Sequence, residues 1–286
     1  MKLVQIKNLG RISLGIQTDR GIIDVAAEGK RRGLAVPETM LQAIREGEPA
    51  MKLLHQLETD AVQYVSEPVY APVITDINRI LCIGLNYAQH AKECGLPFPT
   101  EPPLFCKFSN ALAADGDTVR LDPAYRKYDY EAELVVVIGR AARNVSEADA
   151  LNYVFGYTCG NDLSTRDLQF SRSGQWLLSK TFDGFAPIGP CIVTSDSIDA
   201  SDLAISSRIN GELRQNSVTS DLIFSVPAII ADLSRHFTLE PGDIIFTGTP
   251  QGVMHGYPEA QQQWLVPGDT AEVTIEGIGT LHTFFC

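Results

Sequence analysis

Asp129-Tyr130-Glu131-Ala132-Glu133-Leu134-Val135-Val136-Val137-Ile138-Gly139 is the stretch on which the fold of this chain turns. A β-branched apolar run closed by glycine, with no helical periodicity, reads as a β-strand. Glu131 and Glu133 stand two residues apart at its start, which in a strand puts both carboxylates on one face. Two like charges on a mostly buried strand cost free energy unless a cation lies between them or one takes up a proton. The competing reading is a solvated sheet face, on which the pair carries no chemistry.

The rest of the chain narrows the choice. Its 286 residues, 44% hydrophobic and 20% charged, suit one large domain, or one with a small appendage, and a sizeable core. A net charge of −12 with no local basic stripe argues against nucleic acid as a partner. An anionic substrate stays compatible, because a metal ion and a few cations can invert the field inside a site. Cysteines at 82, 94, 106, 159, 191 and 286 form no C-x-x-C pair, so reduced thiols in a cytosol are expected rather than disulfides or zinc ligation. The first residues carry no signal-peptide pattern and no apolar run nears the roughly 20 residues that span a bilayer. A cytoplasmic protein without a membrane partner is expected.

Residues 1–72 read as a small accessory region ahead of a larger domain over 73–286. Lys2 to Ile6, Ile12 to Thr18 and Gly21 to Val25 read as strands, with turns at Asn8-Leu9-Gly10 and Asp19-Arg20-Gly21. Helical periodicity covers Thr39 to Gly47 and Pro49 to Leu57, where His55 reads as an ordinary helix residue. The extended, proline-bearing segment Ser66 to Pro72 suits a boundary.

Downstream the texture changes. Arg79 to Gly84 reads as a buried strand, and Asn86 to Glu93 as a short helix stopped by Gly95 and Pro97. His90 and Glu93 lie three apart on one helical face, where a carboxylate can fix the imidazole tautomer and raise its basicity. A solvated surface pair is the bland alternative. The proline-rich segment Pro97 to Pro103 suggests a flap, and Leu104 to Phe108 resumes as strand. Ser146 to Leu151 signals a capped helix, and Val154 to Asp162 a strand ending in an acid. Arg166 and Gln169 share a turn or short helix. Lys180, in Leu177-Leu178-Ser179-Lys180-Thr181-Phe182-Asp183, is a lysine in apolar surroundings that wants a carboxylate partner, unless it snorkels to solvent. The last third is β-rich: an Asn210-Gly211 hairpin signal, an amphipathic helix over Ser225 to His236, a buried strand inside Pro241 to Pro250, and hairpin-like strands to the end. Gly248 and Gly252 would let the backbone approach a ligand or simply make tight turns.

Together these motifs resemble the fumarylacetoacetate hydrolase (FAH) family over about residues 80–286. The resemblance is carried by Ile83-Gly84-Leu85-Asn86-Tyr87 with His90 and Glu93, by Tyr130 to Leu134, by Asn161 to Gln169, by Lys180 to Asp183, by Ile209-Asn210-Gly211 and by Thr247 to Val253. The run looks closest to the branch holding the acylpyruvate hydrolases and the second mammalian fumarylacetoacetate-hydrolase-domain protein. One departure is Leu85, where many relatives have a basic residue. It leaves the metal site untouched and puts the substrate's charged tail in question.

The resemblance implies an α+β, strand-rich fold, a mixed β-sandwich roll with a small N-terminal α/β domain, in a homodimer. It implies Glu131, Glu133 and Asp162 as ligands of one Mg²⁺ or Mn²⁺ per subunit, a donor set of hard oxygens that suits those ions. Arg166, Gln169 and Thr249 would bind substrate, and His90, Glu93 and Lys180 would be catalytic. The implied activity is hydrolysis of a C–C bond in a 2,4-dioxo acid: His90, oriented by Glu93, activates water, Lys180 holds the oxyanion, and pyruvate and a carboxylic acid are released. The alternative is a decarboxylase, a tautomerase or isomerase, or a sugar-acid hydrolase using the same site.

Overall fold

The computed structural model describes residues 1–8, 10–59, 61–171 and 175–286. Within it, Ala132–Ile138 runs through the middle of a large open sheet and is buried along its whole length. Leu134, Val136 and Ile138 face one apolar layer, and Val135 and Val137 face another. Cover on both faces is why this run is continuously apolar instead of alternating.

The expected unbroken strand from Asp129 to Gly139 is in fact two. Tyr128–Asp129 pairs with Ser164–Thr165 in a separate ribbon, and only Ala132–Ile138 enters the large sheet. Between them the Glu131 amide bonds the Asn161 side chain, so the ladder is interrupted there.

In the large sheet the strands lie in the order Gly21–Asp24, Arg11–Thr18, Lys2–Asn8, Ala186–Thr194, Val154–Asn161, Ala132–Ile138, Ile244–Phe246, Ile80–Ile83 and Leu104–Lys107. Leu112–Ala113 pairs beside this path with Ala186–Thr194. A second sheet of Glu212–Val218, Ala204–Ile209, Thr270–Ile275, Gly279–Phe285 and Thr118–Val119 packs over it, and its Ile205, Val273, Ile275 and Leu281 share a core with Leu134 and Val136. The result is the expected strand-rich α+β class.

The first strand joins the large sheet through Lys2 opposite Val193 and Leu3 opposite Ile192, so the N-terminal strands continue it. The turn expected at Asn8-Leu9-Gly10 includes Leu9, which lies outside the described residues. Helices form at Met40–Glu46, capped by Thr39, and at Glu48–Thr59, where half-exposed His55 sits 3.7 Å from Glu58. A third helix, Val25–Arg32, was not expected from the pattern. It has little apolar periodicity and is anchored instead by the Asp24 cap and by buried Glu28 pairing with Arg31 and Arg32.

Asn210 and Gly211 both take positive φ, 51° and 80°, at the predicted hairpin, as a two-residue primed turn requires. Val226–His236 is a helix capped by Ser225 with Pro227 in its first turn. All six cysteines are free.

Candidate active site

Two neighbouring segments deliver three carboxylates to one point. Gly160 is in register with Glu133, and Asn161 with Ala132, so Asp162, just past the end of its strand, lands beside Glu131 and Glu133. Ligand-capable oxygens of Glu131, Glu133 and Asp162 all lie within 4.8 Å of one another. Glu131 is 5% exposed and Glu133 2%, which rules out the solvated sheet face.

Cations surround this cluster. Lys180 Nζ donates to Glu131 Oε2 at 2.6 Å and Asp162 Oδ2 at 2.8 Å, and its residue is 2% exposed, so it does not snorkel. The Arg166 fork is fully committed: Nε to Asp129 Oδ2 at 2.9 Å, one terminal nitrogen to Gln169 Oε1 at 2.7 Å, the other to Glu131 Oε1 at 2.6 Å. Burial opposes charge on Glu131, but Lys180 and Arg166 outweigh it and hold this carboxyl well below its ordinary range. Glu133 is the opposite case. Burial and the charges of Asp162 and Glu131 push its pKa well up, with Lys180 only partly countering.

That difference is the test of metal fit. Among the described residues, Asp129, Glu131 and Asp162 each pair with a buried cation (Lys107, Arg166 or Lys180), whereas Glu133 makes no ion pair. Among the described residues the Glu133 carboxylate accepts one hydrogen bond, from the Gly248 amide at 2.7 Å, while it also lines the cavity. An all-oxygen, electron-rich, partly unsatisfied donor set fits a hard divalent cation such as Mg²⁺ or Mn²⁺.

Gly248 and Gly252 take φ of 104° and 98°, and a side chain at either would collide with the protein's own chain: Asn86 Cβ at 2.6 Å and the Arg214 carbonyl at 2.1 Å. Their close approach is to protein, and it aims the Gly248 amide at Glu133 and the Gly252 amide at Glu93. The Thr249 hydroxyl donates to the Ala132 carbonyl at 2.9 Å and accepts from Gln215 at 2.8 Å, tying this loop to the central strand.

On the opposite wall, the helix Ala88–Glu93 presents His90. At 6% exposure His90 is no surface residue; its Nδ1 lies 2.8 Å from Glu93 Oε1 and 3.9 Å from Cys94 Sγ. Buried Asn86 anchors the helix start, donating to the Thr247 and Phe224 carbonyls. Burial lowers the His90 pKa, but hydrogen bonds to Cys94 and Glu93, and the charge of Glu131, raise it further, to about 9. Because this exceeds the ordinary 6.5, the pair contributes stability that is fully present below pH 6.5 and lost as pH rises through about 9. An NMR titration of the metal-free protein is expected to find the His90 ring midpoint near 9, falling once Mg²⁺ is added because a nearby cation disfavours the imidazolium. A midpoint near 6.5 would contradict the arrangement.

Between the walls lies a cavity of about 140 Å³ that also touches Leu85, Thr249, Gln169 and His255. All nine residues singled out in the sequence are therefore within or beside one site. Trp176 closes it from the side, packed edge-on against Phe105 at 5.4 Å and so near Gly84 that any side chain there would strike its ring. Leu85 holds a positive φ of 51°, rare for a leucine.

Sequence reasoning missed three members. Lys107 is fully buried, 2.5 Å from Asp162 Oδ1, and donates to the carbonyls of Leu163, Lys180 and Phe185. Its signal, a lysine inside an apolar strand, is the same cue that singled out Lys180. Asp129 orients Arg166 and accepts the amides of Met254 and His255. His255 stacks on Phe170 at 4.7 Å, and burial together with Arg166 lowers its pKa; nothing in its sequence context marks it.

The family model for the fumarylacetoacetate (FAA) hydrolase C-terminal domain matches residues 79–285. The chain is 40% identical to a fumarylacetoacetate hydrolase domain-containing protein 2 homolog of Dictyostelium discoideum, over 98% of this chain and 96% of that protein. It is 37% identical to the mitochondrial oxaloacetate tautomerase FAHD2B of Bos taurus, over 98% and 90%. The structure of maleylpyruvate hydrolase from Sphingobium sp. SYK-6 in complex with manganese(II) and pyruvate superposes with a TM-score of 0.79 at 29% identity, covering 100% and 98% of the two chains. The chain belongs to the fumarylacetoacetate hydrolase family.

Proposed function

We propose that this protein is a metal-dependent enzyme that interconverts the keto and enol forms of a small 2-oxo diacid of the oxaloacetate type. The observation that carries the reading is a carboxylate cluster suited to a hard divalent cation facing a buried histidine-carboxylate pair across one compact cavity. The name of the bovine relative, similar over nearly the whole chain, supports tautomerisation over the other outcomes.

Glu131, Glu133 and Asp162 would hold one Mg²⁺ or Mn²⁺, which when bound supplies Lewis acidity toward the oxygens of a 2-oxo acid. The chain's own groups do the rest. Lys180 and Arg166 set a positive field for the substrate carboxylate and the oxygen that gains charge on enolisation. Gln169 and Thr249 shape the floor against which the acid lies. With Nδ1 engaged by Glu93, His90 turns Nε2 to the cavity and moves the proton at the carbon beside the carbonyl. The imidazolium donates to the enol carbon in one direction, and the neutral ring takes the proton back in the other. Trp176, Phe105 and Leu96 limit water at the reacting carbon.

The second reading, hydrolysis of a 2,4-dioxo acid to pyruvate and a carboxylic acid, is favoured by the same His90–Glu93 pair and by the likeness to maleylpyruvate hydrolase. Oxaloacetate and acetylpyruvate assayed in parallel with Mg²⁺ or Mn²⁺ separate the two. The expected result is faster relaxation of oxaloacetate enol absorbance without pyruvate or CO₂, and no cleavage of acetylpyruvate. Pyruvate plus acetate from acetylpyruvate establishes hydrolysis instead, and pyruvate plus CO₂ from oxaloacetate establishes decarboxylation. His90→Ala is expected to lower turnover by about 10²- to 10⁴-fold with metal affinity unchanged; full activity in this variant overturns the assignment of His90.

We propose further that 73–286 is the catalytic unit, since every residue of the site falls within it, and 1–72 an accessory unit. A homodimer is proposed on the family resemblance alone, and the mass of the protein in solution tests it. No described helix is long and apolar enough to cross a membrane. The cytoplasmic compartment rests on the sequence alone, and the bovine relative's name places that protein in mitochondria.

A further inference from the structure

We propose that His90, Glu93 and Cys94 form a second metal site, for a borderline or soft divalent cation such as Zn²⁺ or Cd²⁺, whose occupation takes up His90 Nδ1 and its Glu93 partner and so removes the pair from proton transfer. Absence of a C-x-x-C pair set zinc aside in the sequence, but i, i+3, i+4 spacing on a helix is an independent way to converge three ligands. One ligand atom from each of the three residues lies within 4.8 Å of the others. Tetrahedral zinc, with bonds near 2.3 Å to sulfur and near 2.0 Å to nitrogen or oxygen, holds sulfur and nitrogen about 3.6 Å apart and nitrogen and oxygen about 3.3 Å apart. The corresponding separations here are 3.9 Å from Cys94 Sγ to His90 Nδ1 and 2.8 Å from Nδ1 to Glu93 Oε1. These two separations lie within about half an ångström of the tetrahedral values, and the third, from Cys94 Sγ to the Glu93 carboxylate, lies within 4.8 Å.

The ligands are also held in place. The Gly252 amide donates to both oxygens of Glu93, at 3.2 Å and 3.0 Å, and Gly256 packs so closely that a side chain there would strike the carboxylate. His90 is buried while Cys94 is partly exposed, which provides an entry path and a fourth position for water. Mixed sulfur, nitrogen and oxygen donors prefer Zn²⁺ and Cd²⁺, whereas the all-oxygen cluster of Glu131, Glu133 and Asp162 prefers Mg²⁺ or Mn²⁺. Two chemically distinct cation sites thus face one cavity, and metal at the second fixes the imidazole and its carboxylate partner together.

The test titrates Mg²⁺-saturated protein with Cd²⁺ and follows the ultraviolet charge-transfer band of cadmium thiolate. One equivalent of band is expected, displaced by Zn²⁺, lost in Cys94→Ser and retained in Cys286→Ser. Glu93→Gln, which keeps the side-chain shape, is expected to weaken Cd²⁺ binding about tenfold or more with the band retained. A band of unchanged size and affinity in Cys94→Ser, or no band in the wild type, overturns the proposal. The effect on turnover rests on the role given to His90 above and is read separately: Zn²⁺ in the presence of excess Mg²⁺ is expected to inhibit, with Cys94→Ser at least tenfold less sensitive. A full band without inhibition upholds the site and overturns the role of His90.

Discussion

Glu133→Gln is expected to leave the metal-free protein as stable as the wild type or more so, while turnover falls by about 10³-fold or more. The two halves have one cause. Ionised Glu133 is buried beside Glu131 and Asp162, and its hydrogen-bond partner is the Gly248 amide. Glutamine keeps the shape and still accepts that amide, so the substitution removes a like-charge repulsion without opening a cavity. The sign follows from linkage. Because its folded pKa is raised, Glu133 binds protons more tightly in the native state, and metal-free stability falls as pH rises above the unfolded value of 4.5. A bound cation reverses this in the wild type, adding about 2.7 kcal/mol at a concentration 100 times its dissociation constant. The variant loses that gain together with a charged ligand of the metal. Melts with and without Mg²⁺, beside the oxaloacetate assay, check both halves. Metal-free Glu133→Gln melting well below wild type would show that the cluster is not strained by its own charge.

Lys107→Met is expected to cost about 3–5 kcal/mol of stability. Methionine keeps the unbranched stem of the lysine and ends one atom short of its nitrogen, so most of the loss is electrostatic rather than a packing defect. Without the ammonium, Asp162 keeps its buried charge with only Lys180 to meet it, and the carbonyls of Leu163, Lys180 and Phe185 lose a donor. Denaturant unfolding measures the cost. Lys107→Met combined with Asp162→Asn is expected to be less destabilised than the sum of the two single changes, because each relieves the charge the other leaves unpaired. Additive losses, or a Lys107→Met protein within about 1 kcal/mol of wild type, would mean the ion pair is not what holds this wall.

How far the site could be read in advance depended on where each signal resides. Glu131, Glu133 and the two-residue spacing between them carry their meaning locally, since a strand puts such residues on one face whatever surrounds it. The same holds for His90 with Glu93, and for Asn210-Gly211, whose turn chemistry is contained in two residues. Val25–Arg32 was missed because its support is the Asp24 cap and the Glu28 ion pairs rather than apolar periodicity. Lys107 and Lys180 looked alike on paper, yet only the second had a motif around it. His255 has no local signal at all, reaching the cavity because Asp129, far away in the chain, accepts its amide.

Periodicity, turn residues and the order of motifs therefore determined the strand-rich class, the positions of most elements and the family. They are short-range properties, set by the backbone and a few neighbours. Charge balance was decided only in three dimensions. Whether Arg166 is free or committed, why Glu131 and Glu133 titrate in opposite directions, and which cation faces Asp162 all depend on distances across strands that meet only when the sheet is assembled. Coulomb interactions in a buried site act through space over a few ångströms, and separation along the chain says nothing about them.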